Sequence, residues 1–128
     1  MGQVRLTAMG RRRLLDGHPW IYRNDLGKTD AGPGELVPVK SQNGTIMGWG
    51  LHSKSSKLAL RIVTRSAEQP TRSFWEARIN RCLDTRAGAG LLEVTKPEGA
   101  CRLIGGDADG IPGLVVDRYA DRLVLQCG

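Results

Sequence analysis

Long apolar runs are scarce in this sequence of 128 residues. Its apolar runs, such as Leu114–Val116, are far shorter than the roughly 20 residues that a membrane-spanning helix needs. The N-terminus carries early charges and lacks the apolar segment of a secretory signal peptide. We therefore expect a cytoplasmic protein without a membrane partner.

Cysteine is also sparse, and its spacing excludes the common metal sites. Cys82, Cys101 and Cys127 are odd in number and widely separated, so they form neither a Cys-x-x-Cys pair nor a zinc ligand set. The segment Asp107–Gly110 resembles a calcium loop superficially, but it lacks the third oxygen ligand and the closing glutamate. We predict reduced thiols, a turn at 107–110, and no metal.

Signatures of nucleotide binding and of catalysis are missing as well. Gly88–Glu93 lacks the third glycine of a dinucleotide fingerprint and follows a predicted helix instead of a strand, and there is no P-loop. His18 and His52 have no nearby serine, cysteine or carboxylate pattern that would define a triad. The sequence therefore predicts no catalytic residue and no cofactor held by this chain, although a weaker alternative makes His18 or His52 an acid–base group.

What the sequence does have is a basic excess confined to its first half. Residues 1–66 contain eleven Lys/Arg and four Asp/Glu, a net charge of +7, whereas residues 67–128 contain eight and nine, a net charge of −1. Such asymmetry favours a polyanion-binding module joined to a part with another task. The alternative is a basic surface kept for solubility.

Short strand patterns dominate residues 1–66. Gln3–Thr7 alternates polar and apolar residues, and Asn43-Gly44 is a strong hairpin signal. Pro38 predicts that its strand lies at a sheet edge. Gly48 and Gly50 mark a place where another backbone or a ligand comes close. The predicted elements are a short helix near 11–15 and strands at 3–7, 35–39, 45–51 and 58–64, which suit a small barrel.

Residues 67–128 show a different pattern. A polar segment with Pro70 precedes a helix predicted over 74–86, with Ser73 as its N-cap, Glu76 completing a capping box, and Gly88–Gly90 ending it. Strands are predicted at 101–104, 114–119 and 122–126. The last of them is apolar and ends the sequence, and such exposed edges are normally covered. Either this strand pairs within the fold or the natural sequence continues, and we expect the natural sequence to continue.

A basic and aromatic constellation in the first half is the strongest functional signal. RNA recognition needs cations that neutralise phosphates and flat side chains on which unpaired bases stack. Trp20 and Trp49 are alternatively core residues, and we expect that for at least one of them. The candidate RNA-binding residues are Arg11, Arg12, Arg13, His18, Trp20, Arg23, Lys54 and Arg61.

Three stretches carry a family resemblance: Gly17–Tyr22, then Ser53-x-x-Ser56 followed by Leu58 and Arg61, and above all Arg102–Tyr119. Together they resemble the class I adenosylmethionine-dependent ribosomal RNA methyltransferases that make 5-methylcytosine in 23S RNA. The likeness covers essentially the whole sequence, and the third stretch is quite specific.

The resemblance implies an α+β, mostly β fold that begins with a PUA domain, an RNA-binding pseudo-barrel. In that family a middle domain of strand-strand-helix-strand-strand order follows, and then a Rossmann-like methyltransferase domain. Residues 1–66 would be the PUA-like domain, 67–100 a linker and connecting helix, and 101–128 a partial middle domain containing its first β-hairpin.

The family's cofactor-binding loop and catalytic cysteine lie in the methyltransferase domain, and no cysteine of this sequence occupies a corresponding position. The resemblance therefore implies a chain that binds ribosomal RNA but does not catalyse, with S-adenosylmethionine held by the full-length protein. The alternative is a structural or interaction module that packs against its own catalytic domain or a partner protein. A homodimer is left open.

Overall fold

The computed structural model describes residues 2–54, 56–88 and 100–127. The chain divides into two compact units, Met1–Pro70 and Thr71–Gly128. Strand outweighs helix, so the prediction of a mostly β fold is confirmed.

The first unit is a six-stranded curled sheet, a half-barrel, with one helix against it. The strand order is β2-β6-β5-β4-β1-β3, and the β1–β4 pair is the parallel one. In chain order the elements are β1 (Val4–Leu6), α1 (Ala8–Leu15), β2 (Trp20–Tyr22), a 3₁₀ turn (Arg23–Asp25), β3 (Leu26–Thr29), β4 (Leu36–Lys40), β5 (Ile46–His52) and β6 (Leu58–Thr64).

Helix α1 is set by a cap at each end. The Thr7 hydroxyl accepts a hydrogen bond from the Gly10 N–H at 3.1 Å, and Gly17 follows the helix with φ +91°, a conformation that favours glycine. A Cβ at Gly10 would lie 2.3 Å from the Asp25 carbonyl oxygen. Glycine at position 10 therefore lets α1 pack directly on the 3₁₀ turn.

The β4–β5–β6 sheet tests two predictions about glycines, namely the hairpin at Asn43-Gly44 and the close approach of a neighbour at Gly48 and Gly50. Asn43-Gly44 forms the hairpin between β4 and β5, with Gly44 at φ +89°. A Cβ at Gly48 would lie 2.4 Å from the Thr64 carbonyl oxygen, and one at Gly50 would lie 2.9 Å from that of Arg61. The close neighbour is thus the β6 backbone.

The prediction of an edge strand at Pro38 is wrong, because β4 lies inside the sheet between β5 and β1. The β1 pairing covers only Val39 and Lys40, so Pro38 lies just before it. Strand β3 was not predicted, because its exposed residues give no apolar alternation.

The core of the first unit fills the concave side of the sheet under α1. It consists of apolar side chains contributed by α1 and by strands from both halves of the sheet, together with Ala31. Those with less than 2% exposure include Val4, Leu6, Ile21, Val37, Val39 and Leu60.

The second unit packs one helix on an antiparallel sheet of order β7-β8-β9. Its elements are α2 (Arg72–Gly88), β7 (Ala100–Gly105), a 3₁₀ turn (Gly106–Asp109), β8 (Leu114–Tyr119) and β9 (Arg122–Cys127). The buried cluster is Cys82, Leu103, Ile104, Ile111 and Val116.

The start of α2 differs from the prediction. Helix α2 begins at Arg72, so Ser73 lies in its first turn and is not the N-cap; Glu76 instead accepts a hydrogen bond from Arg72 Nε at 2.9 Å. The three strands predicted from the residues are present, whereas the resemblance alone implied a single hairpin; the apolar segment around Leu123–Leu125 pairs with β8. Residues 89–90, predicted to end the helix, lie outside the described residues.

Candidate nucleic-acid interface

Strand β2 presents two aromatic rings at an edge of the first sheet. Trp20 is 41% exposed and Tyr22 50% exposed, whereas Ile21 between them is fully buried. This follows from the period of two along a strand, which puts residues 20 and 22 on the same outward face. We call Trp20 and Tyr22 the aromatic edge.

Strand β6 and the residue after it bring two arginines to this edge, Arg61 and Arg65. Arg61 on β6 is the registered partner of Trp20, so the two side chains lie on one face of the sheet. The Arg65 guanidinium donates to the His18 carbonyl at 3.2 Å, and the Ile62 N–H donates to the Pro19 carbonyl at 2.8 Å. The exposed His18 is thereby fixed next to Trp20.

The arginine triplet of α1 divides into two roles. Arg11 and Arg12 are exposed, whereas three successive arginines on a short helix require this of at least one. The Arg13 side chain is 41% exposed, but its Nε lies 2.8 Å from Asp25 Oδ2, whose side chain is only 14% exposed. Arg13 thus ties α1 to the 3₁₀ turn after β2.

Arg23 is engaged in a similar way with the β5–β6 loop. Its Nε donates to the Ser56 carbonyl at 3.1 Å, and its Nη2 donates to the carbonyls of both Ser53 and Ser56. The Arg23 N–H also donates to the Lys57 carbonyl at 2.8 Å. Lys54, in the same loop, is exposed.

An open cleft of about 440 Å³ lies beside Tyr22. It is lined by Tyr22, Arg23, Asn24, Ser56 and Lys57, and we call it the Tyr22 cleft. Of these residues the sequence singled out only Arg23 as a site residue. Tyr22 and Ser56 lie in stretches that carry the family resemblance, while nothing in the sequence marked Asn24.

Trp49 and His52 belong to the interior instead. Trp49 is 5% exposed and its Nε1 donates to the Ala67 carbonyl at 3.1 Å, which confirms that one of the two tryptophans is a core residue. His52 is 4% exposed, with Nδ1 lying 3.1 Å from the Gly32 carbonyl oxygen. His52 is therefore a buried structural residue.

The most specific motif of the sequence, 102–119, is organised around one carboxylate. Both Asp109 oxygens accept hydrogen bonds from Arg86, at 3.1 and 2.8 Å, and Oδ2 also accepts the Gly105 N–H at 2.6 Å. The Arg86 guanidinium holds the pKa of Asp109 below its usual value. Asp109 is therefore committed to the fold, and no cluster of possible metal ligands occurs among the residues that the structure describes.

Residues 4–65 match the model of the PUA-like domain family, which the resemblance implied for this part of the chain. None of the described helices is long and apolar enough to cross a membrane.

Curated relatives extend the likeness beyond that domain. The chain is 34% identical over 128 residues to a ribosomal RNA large subunit methyltransferase of Deinococcus radiodurans, covering 97% of this chain and 31% of the relative. It is 36% identical over 124 residues to ribosomal RNA large subunit methyltransferase I of Shewanella denitrificans, covering 91% and 30%. The chain thus spans about a third of the length of the curated relatives it matches.

Solved structures show the same fold. A Streptococcus mutans protein described as a candidate SAM-dependent methyltransferase superposes with a TM-score of 0.76 at 18% identity, over 98% of this chain and 32% of that one. A structure of a candidate methyltransferase in complex with SAH gives the same values. At this identity the likeness concerns the fold.

Proposed function

We propose that this chain is the RNA-binding portion of a ribosomal RNA methyltransferase and helps to position the RNA for methyl transfer. The observation that carries the proposal is the coincidence of a PUA-like domain with an exposed cationic and aromatic surface on α1 and β2. In this proposal residues 1–66 bind RNA, 67–100 connect, and 101–128 belong to a middle domain. No residue of this sequence is assigned to S-adenosylmethionine, which the complete enzyme would bind elsewhere. Its compartment would be the cytoplasm.

The proposed contacts fall into two groups. Arg11, Arg12, Lys54 and Arg61 would neutralise phosphates, while His18 and Trp20 would pack against the RNA. Arg13 forms an ion pair with Asp25 and Arg23 donates to loop carbonyls, so their main contribution would be to hold the surface in shape. The homodimer stays a prediction, and the comparisons give it no support.

The test is a titration of a structured ribosomal RNA fragment at several salt concentrations. Because each phosphate contact releases counterions, we expect affinity to fall steeply with salt. The variant Arg11→Ala/Arg12→Ala should reduce the slope of log K against log salt by about 0.7–0.9 for each phosphate that is no longer neutralised. The control Arg102→Ala/Arg122→Ala changes two arginines of the second unit and should leave the slope unchanged. Equal effects of both variants, or salt-independent binding, would contradict the proposal.

The second candidate, an interaction module, is favoured by one feature of the second unit. Strand β9 is exposed along its whole length, with Leu123 58% and Leu125 61% exposed. Such a strand at a sheet edge is suited to pairing or packing with protein. If this is the function of the whole chain, RNA affinity will be weak and indifferent to changes on α1.

A further inference from the structure

We propose that the Tyr22 cleft receives one unpaired RNA nucleotide, with its base stacked on the Tyr22 ring and its phosphate beside Lys57. The proposal rests on the proposed function, because it names the form of RNA that the same surface selects. It goes beyond phosphate neutralisation, which any RNA helix can satisfy.

The first step concerns the ring faces. Neither Trp20 nor Tyr22 contacts another aromatic ring in the part of the chain that the structure describes, and each is at least 41% exposed. Residues two apart on a strand are separated by about 6.6 Å, so the two rings can serve successive unstacked bases. Base faces inside a helix are covered by their neighbours, whereas unpaired bases are available to stack on aromatic side chains. The aromatic edge therefore favours unpaired RNA.

The second step concerns the walls of the cleft. Arg23 joins the β2 side to the β5–β6 loop through three side-chain hydrogen bonds to the Ser53 and Ser56 carbonyls. The Arg23 N–H adds a bond to the Lys57 carbonyl at 2.8 Å. A wall held in this way loses little conformational entropy when a ligand enters. Arg23 is thus a positioning residue of the Tyr22 cleft.

The third step concerns the polar groups that line it. The Ser56 hydroxyl accepts the Leu58 N–H at 3.1 Å, which leaves its own proton for donation. Asn24 is exposed and offers both a donor and an acceptor, the pattern needed to read the edge of a base. Lys57 is exposed and supplies the positive charge for a phosphate. The cleft therefore combines a stacking face, hydrogen-bonding groups and a cation.

The experiment compares one RNA sequence as a labelled single strand and as a blunt duplex, both titrated with the full chain. Tyr22→Ala should weaken binding of the single strand about 5- to 100-fold, because loss of one stacked base has an effect of that size. Duplex binding should change less than about twofold, because its bases are already stacked on one another, and Tyr22→Phe should restore single-strand binding. The matched control is Tyr119→Ala, since Tyr119 is 52% exposed but belongs to the second unit.

The positioning role of Arg23 has its own readout. Arg23→Gln removes the charge and the guanidinium that spans two carbonyls, so single-strand affinity should fall while the salt slope stays unchanged. A slope reduced by about 0.7 would instead make Arg23 a phosphate contact and overturn its role. Salt-dependent binding of both RNA forms with no effect of Tyr22→Ala would overturn the cleft and leave the proposed function standing. Absence of salt-dependent binding to either form would overturn the proposed function itself.

Discussion

The two units contain similar numbers of arginines but engage them differently. The first unit, residues 1–70, has eleven Lys/Arg against five Asp/Glu, and several of its cations reach solvent near the aromatic edge. The second unit, residues 71–128, has eight of each sign. Its described arginines include Arg78, Arg86, Arg102 and Arg118, which donate to oxygens of the same unit.

This difference shows that the number of arginines in a unit does not by itself indicate a polyanion-binding surface. In the second unit, Asp109 and Asp117, which could repel RNA, are bound to guanidinium groups, so charges of both signs are engaged within the fold. In the first unit Arg13 and Arg23 are engaged in the same way, but Arg11, Arg12 and Lys54 are exposed. The cations that remain exposed after pairing within the fold are the ones that can contact a phosphate.

The largest effect should come from Asp109→Ala, which breaks the pairing in the second unit. Arg86 is 19% exposed and would lose a bidentate partner, while Gly105 N–H would lose its acceptor. We expect the free energy of unfolding of the second unit to fall by about 3 kcal/mol, because a largely buried cation is left unpaired. Hydrogen exchange should show faster exchange in peptides from 72–88 and 100–127. Asp121→Ala, in an exposed turn, is the control, and faster exchange in 2–54 would contradict the independence of the units.

Arg12→Ala and Arg13→Ala separate the two roles inside the first unit. Arg12→Ala should leave thermal stability unchanged and reduce the salt slope of RNA binding by about 1. Arg13→Ala should instead lower the free energy of unfolding by about 1 kcal/mol, because Asp25 is then without its guanidinium partner. Thermal unfolding and RNA titration of both variants provide the measurements. If the two variants behave alike, the triplet is not divided in the way the structure indicates.

A smaller effect is expected from Arg102→Ala. Arg102 is 58% exposed and bonds Asp117 across the sheet, at 2.8 and 3.2 Å. Exposed pairs contribute little, so we expect only a small loss of stability in urea unfolding and no change in RNA binding. A loss several times larger would mean that this pair, like Arg86–Asp109, is part of the core.

The smallest effect concerns acid stability of the first unit. The N–H groups of Gly32 and Gly2 donate to the Glu35 carboxylate, which lowers its pKa from the usual 4.5. A carboxyl group with a lowered pKa stabilises the fold above its unfolded pKa, and this contribution is lost as the pH falls through the folded pKa. Glu35→Gln should therefore flatten the decline of the unfolding midpoint below pH 4.5. A decline of unchanged steepness would assign acid sensitivity to other carboxylates.

Sequence reasoning was most successful where the signal is local. The Asn43-Gly44 hairpin follows from turn chemistry, and the strand predicted from the alternation of Gln3–Thr7 is present as β1. It failed where a distant neighbour decides. Pro38 suggested an edge, but the partner strand β1 comes from more than thirty residues earlier and pairs only beyond the proline.

The candidate site also has features that local sequence signals predicted and features that depend on distant contacts. The basic excess, the aromatic pair and the family likeness were readable from residue types and spacing, because charge and alternation are properties of the chain itself. The sequence could not assign Arg13 to Asp25, Arg23 to the 53–57 loop, or Asn24 and Ser56 to one cleft. Those assignments depend on contacts between residues far apart in the chain. The pairing of β2 with β6 and the packing of α1 on the 3₁₀ turn decide which cations are engaged within the fold and which remain for RNA.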